Sequence, residues 1–117
     1  MKSILLIAVA FLFFLSCTDN KALPADIFPV SKMKVIVWDM EIADQTAINK
    51  YTYKKDSLRM EATGLYQQVF ARHKTDKKTF YKSLAYYQSY PDLMKVLFDS
   101  VTSYGTRQKN SAYKRAY

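Results

Sequence analysis

Only two glycines, Gly64 and Gly105, stand among the 117 residues of this chain. Tight turns between strands and phosphate-cradling loops both draw on glycine, whose missing Cβ opens conformations that other residues avoid. A chain so poor in glycine is steered away from a turn-rich sheet and from Gly-rich nucleotide loops. From Ser31 onward the apolar residues recur at spacings of three and four instead, which is the pattern of amphipathic helices.

The first helix is expected to be capped by Ser31, with Met33, Ile36, Val37, Met40, Ala43, Ala47 and Tyr51 on its main face. A second stripe, Val35, Trp38 and Ile42, widens that face, so the helix must be covered on more than one side. The polar segment Asn49 to Asp56 reads as a connection. A second helix then runs from about residue 57 to 73, with Leu58, Ala62, Leu65, Tyr66, Val69 and Phe70 inward and Gly64 serving close approach of a neighbour. Thr75 or Asp76 caps a third helix over 77–89, with Phe80, Leu84 and Tyr87 inward. Pro91 suits the first turn of a fourth, carrying Leu93, Met94, Leu97, Phe98, Val101 and Tyr104 and stopping at Gly105. The fold expected is all-α, a small bundle of about four helices.

The N-terminus is of another kind. After Met1, Lys2 and Ser3, residues 4–15 are apolar without a break. A short cationic start before such a run matches a secretory signal peptide, and a spanning helix would need about 18–20 apolar residues. The run ends Phe14-Leu15-Ser16-Cys17, which resembles the lipobox of bacterial lipoproteins, where an apolar and a small residue precede the cysteine. The resemblance implies cleavage after Ser16 and thioether linkage of diacylglycerol to Cys17, a membrane attachment held by several acyl chains. Thr18 follows instead of aspartate, which by the same resemblance favours the outer membrane, with the periplasmic or surface face left open. Residues 17–30, with Pro24 and Pro29, read as a lipidated tether, 31–104 as the helical domain and 105–117 as a basic C-terminal tail. Since Cys17 is the sole cysteine, no disulfide can staple the fold.

From Cys17 on, the chain carries 17 basic and 10 acidic residues, and Arg107, Lys109, Lys114 and Arg115 supply more than half of the excess without one acid among them. Nucleic-acid binding calls for a basic face on the folded part, so nucleic acid is not an expected partner; the tail reads as solvated, the alternative being a role touching anionic headgroups or an acidic partner.

The pattern Pro29, Lys32, Met33, Ile36, Asp39, Met40 and Ala43, followed by "FYKSLAYYQSYPDL" over Phe80 to Leu93, resembles the small Bacteroidetes envelope lipoproteins classed as domain-of-unknown-function family 4296. The resemblance covers residues 28–104. It implies a lipoprotein with a helical domain and carries over no catalytic residue.

Nothing in the spacing of polar residues builds a catalytic, metal or cofactor site. His73 stands alone at the end of the second helix, where its interaction with the helix dipole is the expected role. Asp39, Glu41 and Asp44 have no basic or histidine partner nearby in sequence. Trp38, Tyr86 and Tyr90 are the candidate partner-binding residues, because large rings with one apolar and one wet end favour interfaces. The function expected is therefore non-enzymatic: an accessory or scaffolding subunit that docks on an outer-membrane protein assembly. The alternative is a periplasmic chaperone-like binder of extended or unfolded chains. No small-molecule substrate is indicated.

Overall fold

Where the sequence suggests a tether, the chain is fastened down. The computed structural model describes residues 22–51 and 53–116. Four α-helices occupy most of them: α1 (Val30–Lys50), α2 (Lys55–Arg72), α3 (Lys77–Gln88) and α4 (Pro91–Ala116). No strand occurs among the described residues. Ahead of α1, residues 23–29 form a strap against α3. A turn closes from Ile27 N–H to the Pro24 carbonyl at 3.0 Å, and Ile27 is buried. The Phe28 peptide is held from both sides. Its N–H donates to Ser83 Oγ at 2.9 Å, and its carbonyl accepts from the Tyr87 hydroxyl at 2.9 Å. Lys82 adds an ion pair to Asp26, which holds that carboxyl below its usual range. The tether expected over 17–30 thus becomes packed structure by residue 23; Cys17 lies outside the described residues.

The strap decides where α1 begins. Pro29, extended at φ −66° and ψ 159°, is the residue before the helix, and its carbonyl accepts from Lys32 and Met33. Ser31, expected as the cap, therefore sits inside the first turn. α1 then lies between α2 and α4, as its two apolar stripes require, while α3 packs on α4. Met33, Ile36, Phe80, Tyr87 and Leu97 are the largest fully buried apolar side chains, each with 1% or less of its surface exposed. Burial of each contributes about 1.5–3 kcal/mol before entropy is counted.

α1 and α2 run antiparallel in a register marked by polar pairs. Lys50 meets Glu61 at 3.2 Å, Asp44 accepts from the Tyr66 hydroxyl, and Asp39 meets His73 at 2.7 Å. Each step back along α1 is matched by a step forward along α2. Ala43 and Ala47, both buried, let the helices approach between these pairs. Gly64 plays no part in that approach; it is exposed, with no neighbouring atom within 4 Å of where a Cβ would stand.

α2 ends in a Schellman turn. Thr75 N–H donates to the Phe70 carbonyl and Lys74 N–H to that of Ala71, with Lys74 at φ 52°. Asp76 then caps α3, accepting from Thr79 N–H at 2.8 Å. Phe70, Phe80 and Tyr81 close this corner, the ring centroids of Phe70 and Phe80 lying 5.5 Å apart.

α4 departs most from expectation. It does not stop at Gly105 but continues unbroken to Ala116, so the tail is helical and joined to the fold. Every residue from Thr106 to Ala116 is exposed. Phe98, expected inward, is 58% exposed because it lies at the edge of the face that turns Leu97 and Val101 inward.

Two substitutions test this account. Tyr87→Phe leaves the Phe28 carbonyl without its donor and should destabilise the protein by about 1–3 kcal/mol in urea unfolding followed by circular dichroism. Lys74→Gly should stabilise it by about 0.5–1 kcal/mol, because glycine adopts the left-handed conformation without a Cβ penalty.

Candidate functional site

The three candidate aromatics fall on two separate surfaces. Trp38 projects from α1 onto α4, where its half-buried ring lies against Gly105. A Cβ at position 105 would stand 2.2 Å from Trp38 Cζ3 and 2.6 Å from Cε3, so only glycine allows this approach. Lys109, one turn further along α4, places its ammonium 5.6 Å from the same ring, a cation–π geometry. On the neighbouring turn, Lys34 lies 5.9 Å from the Tyr104 ring. The glycine expected to end a helix is thus the seat of the α1–α4 seam. Trp38 serves that seam with much of its ring, leaving part of it accessible.

Tyr86 and Tyr90 lie at the far end of α3. Their ring centroids are 4.8 Å apart with planes tilted by 43°. Tyr86 is half-buried against the core and Tyr90 is 44% exposed. Partial desolvation, and then the neighbouring Tyr90 hydroxyl, raise the Tyr86 phenol above its usual range. Helical spacing predicts the pairing, since residues four apart share a face. No ring contact among the described residues joins Trp38 to either tyrosine.

The structure also builds a polar cluster that local spacing could not reveal. His73 Nε2–H donates to Asp39 Oδ2 at 2.7 Å, and Arg72 Nη1 lies 3.6 Å from the same oxygen. The expected dipole role of His73 is therefore overtaken by a side-chain bond to α1, and Asp39 has the basic partners it lacks in sequence. A carboxylate bound to a histidine ring orients general bases in enzymes; here it also fixes the helix pair in register. One turn further along α1, Asp44 accepts from the Tyr66 hydroxyl, and burial first, then this carboxylate, raises the Tyr66 phenol. The antiparallel register of two helices joined by a short connection was the signal that could have found both pairs.

Beside Tyr66, a cleft of about 480 Å³ opens between α2 and the start of α3. Tyr66, Phe70 and Tyr81 line its apolar side, and Gln67, Asp76 and Lys77 its polar side. Its volume falls in the range of small-ligand pockets, about 300–1,000 Å³. Among the described residues, no group of three His, Cys, Asp or Glu side chains stands close enough to hold a metal ion. No described helix is long and apolar enough to cross a membrane.

With this geometry in place, the comparisons identify the class. The profile of the domain of unknown function DUF4296 matches residues 24–111, and the chain belongs to that family. The matched region starts inside the strap and ends within the exposed extension of α4, so both belong to the same unit as the four helices. No curated protein and no solved structure matches the chain.

The seam yields a prediction with a change of sign. Gly105→Ala should destabilise the protein by up to about 2 kcal/mol, since overpacking costs about 1–3 kcal/mol and alanine returns only about 1 kcal/mol of helix propensity. In a Trp38→Ala background the same substitution should become stabilising, as read by denaturant unfolding of all four chains.

Proposed function

We propose that this protein is a lipid-anchored envelope lipoprotein, non-enzymatic, that docks as an accessory or scaffolding subunit on an outer-membrane protein assembly. The observation that carries the reading is the run of twelve apolar residues ending in Phe14-Leu15-Ser16-Cys17. Three acyl chains on Cys17 would tether the domain stably, at about 0.8 kcal/mol per buried methylene. The domain then offers a partner rigid surfaces, not a flexible arm. The tilted Tyr86–Tyr90 pair supports the docking role: one ring on the last turn of α3 and one in the short connection to α4 expose apolar area and hydroxyls at little entropic cost. The half-accessible ring of Trp38 offers a second contact on another face.

A chaperone-like role has one observation in its favour. The cleft beside Tyr66, Phe70 and Tyr81 has the volume and the apolar side to take a side chain of an extended client. The readings separate on stoichiometry. Affinity purification from membranes after crosslinking should recover a defined partner in fixed ratio for a subunit, and many clients in small amounts for a chaperone. Tyr90→Ala should weaken the first complex by tenfold or more if the pair is its anchor, a loss of about 1.4 kcal/mol.

Anchoring has its own test. Cells expressing the natural chain should incorporate labelled fatty acid into it, and the Cys17→Ser chain should incorporate none. Label retained by the variant would overturn the anchoring reading.

A further inference from the structure

We propose that the exposed extension of α4, Thr106–Ala116, is a contact for the anionic phospholipid headgroups of the membrane that holds the protein. Three observations support this. First, Asp99 is the last acid in the chain, while Arg107, Lys109, Lys114 and Arg115 follow it. None of these four basic side chains makes an ion pair among the described residues. Lys114 and Arg115 lie in the last turn, where cations offset the helix dipole, but Arg107 and Lys109 lie about two turns or more before the helix end and gain little from it.

Second, the charges have a direction. Gly105 faces Trp38, and Arg107 stands two residues on, more than half a turn around the helix. Lys114 and Arg115 follow Arg107 by seven and eight residues, which returns them to its side. Arg107, Lys114 and Arg115 therefore look away from the seam, while Lys109 lies over the Trp38 ring within it. Arg115 is steadied there by a bond from its Nε to the Ser111 carbonyl at 3.2 Å. Tyr113, 67% exposed, flanks the stripe and suits the headgroup level, where tyrosine is favoured.

Third, the extension has little with which to hold a protein groove. Beyond Gly105 its only apolar side chains on described residues are Ala112, Tyr113 and Ala116, whereas protein interfaces centre on a buried apolar cluster. A charged surface of lipid asks only for cations, each contributing about 1 kcal/mol near it. The inference rests on the anchoring reading for its strength in the cell. An attached lipid keeps the stripe near the bilayer and raises its effective concentration there, so a weak contact becomes a populated one.

The test separates the two. The purified Cys17→Ser chain, which lacks the lipid, is sedimented with phosphatidylcholine vesicles and with vesicles of about one-third phosphatidylglycerol. It is compared with the same chain carrying Arg107→Gln, Lys114→Gln and Arg115→Gln, after circular dichroism and tryptophan emission have shown the same helix content and the same α1–α4 seam. The basic chain should bind the anionic vesicles at least about tenfold more tightly than the substituted one, with no such difference on neutral vesicles. The difference should vanish at high salt, where headgroup attraction is screened. Equal binding of the two chains to anionic vesicles overturns the proposal. So does a photo-crosslinking side chain substituted at Tyr113 that captures a single acidic protein, and no lipid, in cells. Because neither measurement uses the acyl chains, a negative result here leaves the fatty-acid labelling result intact, and the reverse also holds.

Discussion

The backbone of Phe28 is the point on which the rest of the structure depends. Both of its polar atoms are used by side chains of α3, the N–H by Ser83 and the carbonyl by Tyr87. Ser83 and Tyr87 are themselves fully buried, and the strap supplies the partners that buried hydroxyls require. Fixing Phe28 fixes Pro29, and Pro29 fixes the start of α1. From there α1 carries the apolar faces against which α2 and α4 pack. A segment that lacks any helical period therefore orients the helices around it.

Two kinds of contact then hold α1 from opposite sides. Toward α2 it uses polar pairs in register, spaced along the helix from Asp39 to Lys50, with small alanines between them. The pairs specify alignment more than they stabilise, since partly exposed ion pairs contribute about 0–1 kcal/mol. Toward α4 it uses one large ring against a bare backbone, Trp38 on Gly105. That arrangement leaves α2 and α3 free to form the aromatic corner with its cleft, and leaves α4 free to run on past the seam into solvent.

Much of the fold was legible in the sequence. The three-and-four spacing marked all four helices, Asp76 marked the start of α3 and Pro91 the start of α4. The "FYKSLAYYQSYPDL" stretch carried the family likeness that the profile match bears out. What escaped had distant causes. The close approach expected at Gly64 falls at Gly105 instead, because a glycine's environment depends on which helix comes near it and not on its own neighbours. The strap passed for a tether because Phe28 is bonded to residues 55 and 59 positions away. His73 and Asp39, 34 positions apart, meet only once α1 and α2 have folded against each other. The candidate aromatics were legible as chemistry but not as geometry: nothing local distinguishes Trp38, pressed into a seam, from Tyr90, which stands largely clear of one.

The seating of Trp38 on Gly105 has an optical consequence. It is the sole tryptophan in the chain, so its fluorescence comes from one place, the join between α1 and α4. The ten tyrosines contribute a separate and bluer signal. Any event that parts α4 from α1 will change the tryptophan emission even if every helix keeps its backbone hydrogen bonds. Far-ultraviolet dichroism would record nothing of such an opening, so the two signals together distinguish a bundle that has come apart from one that has melted.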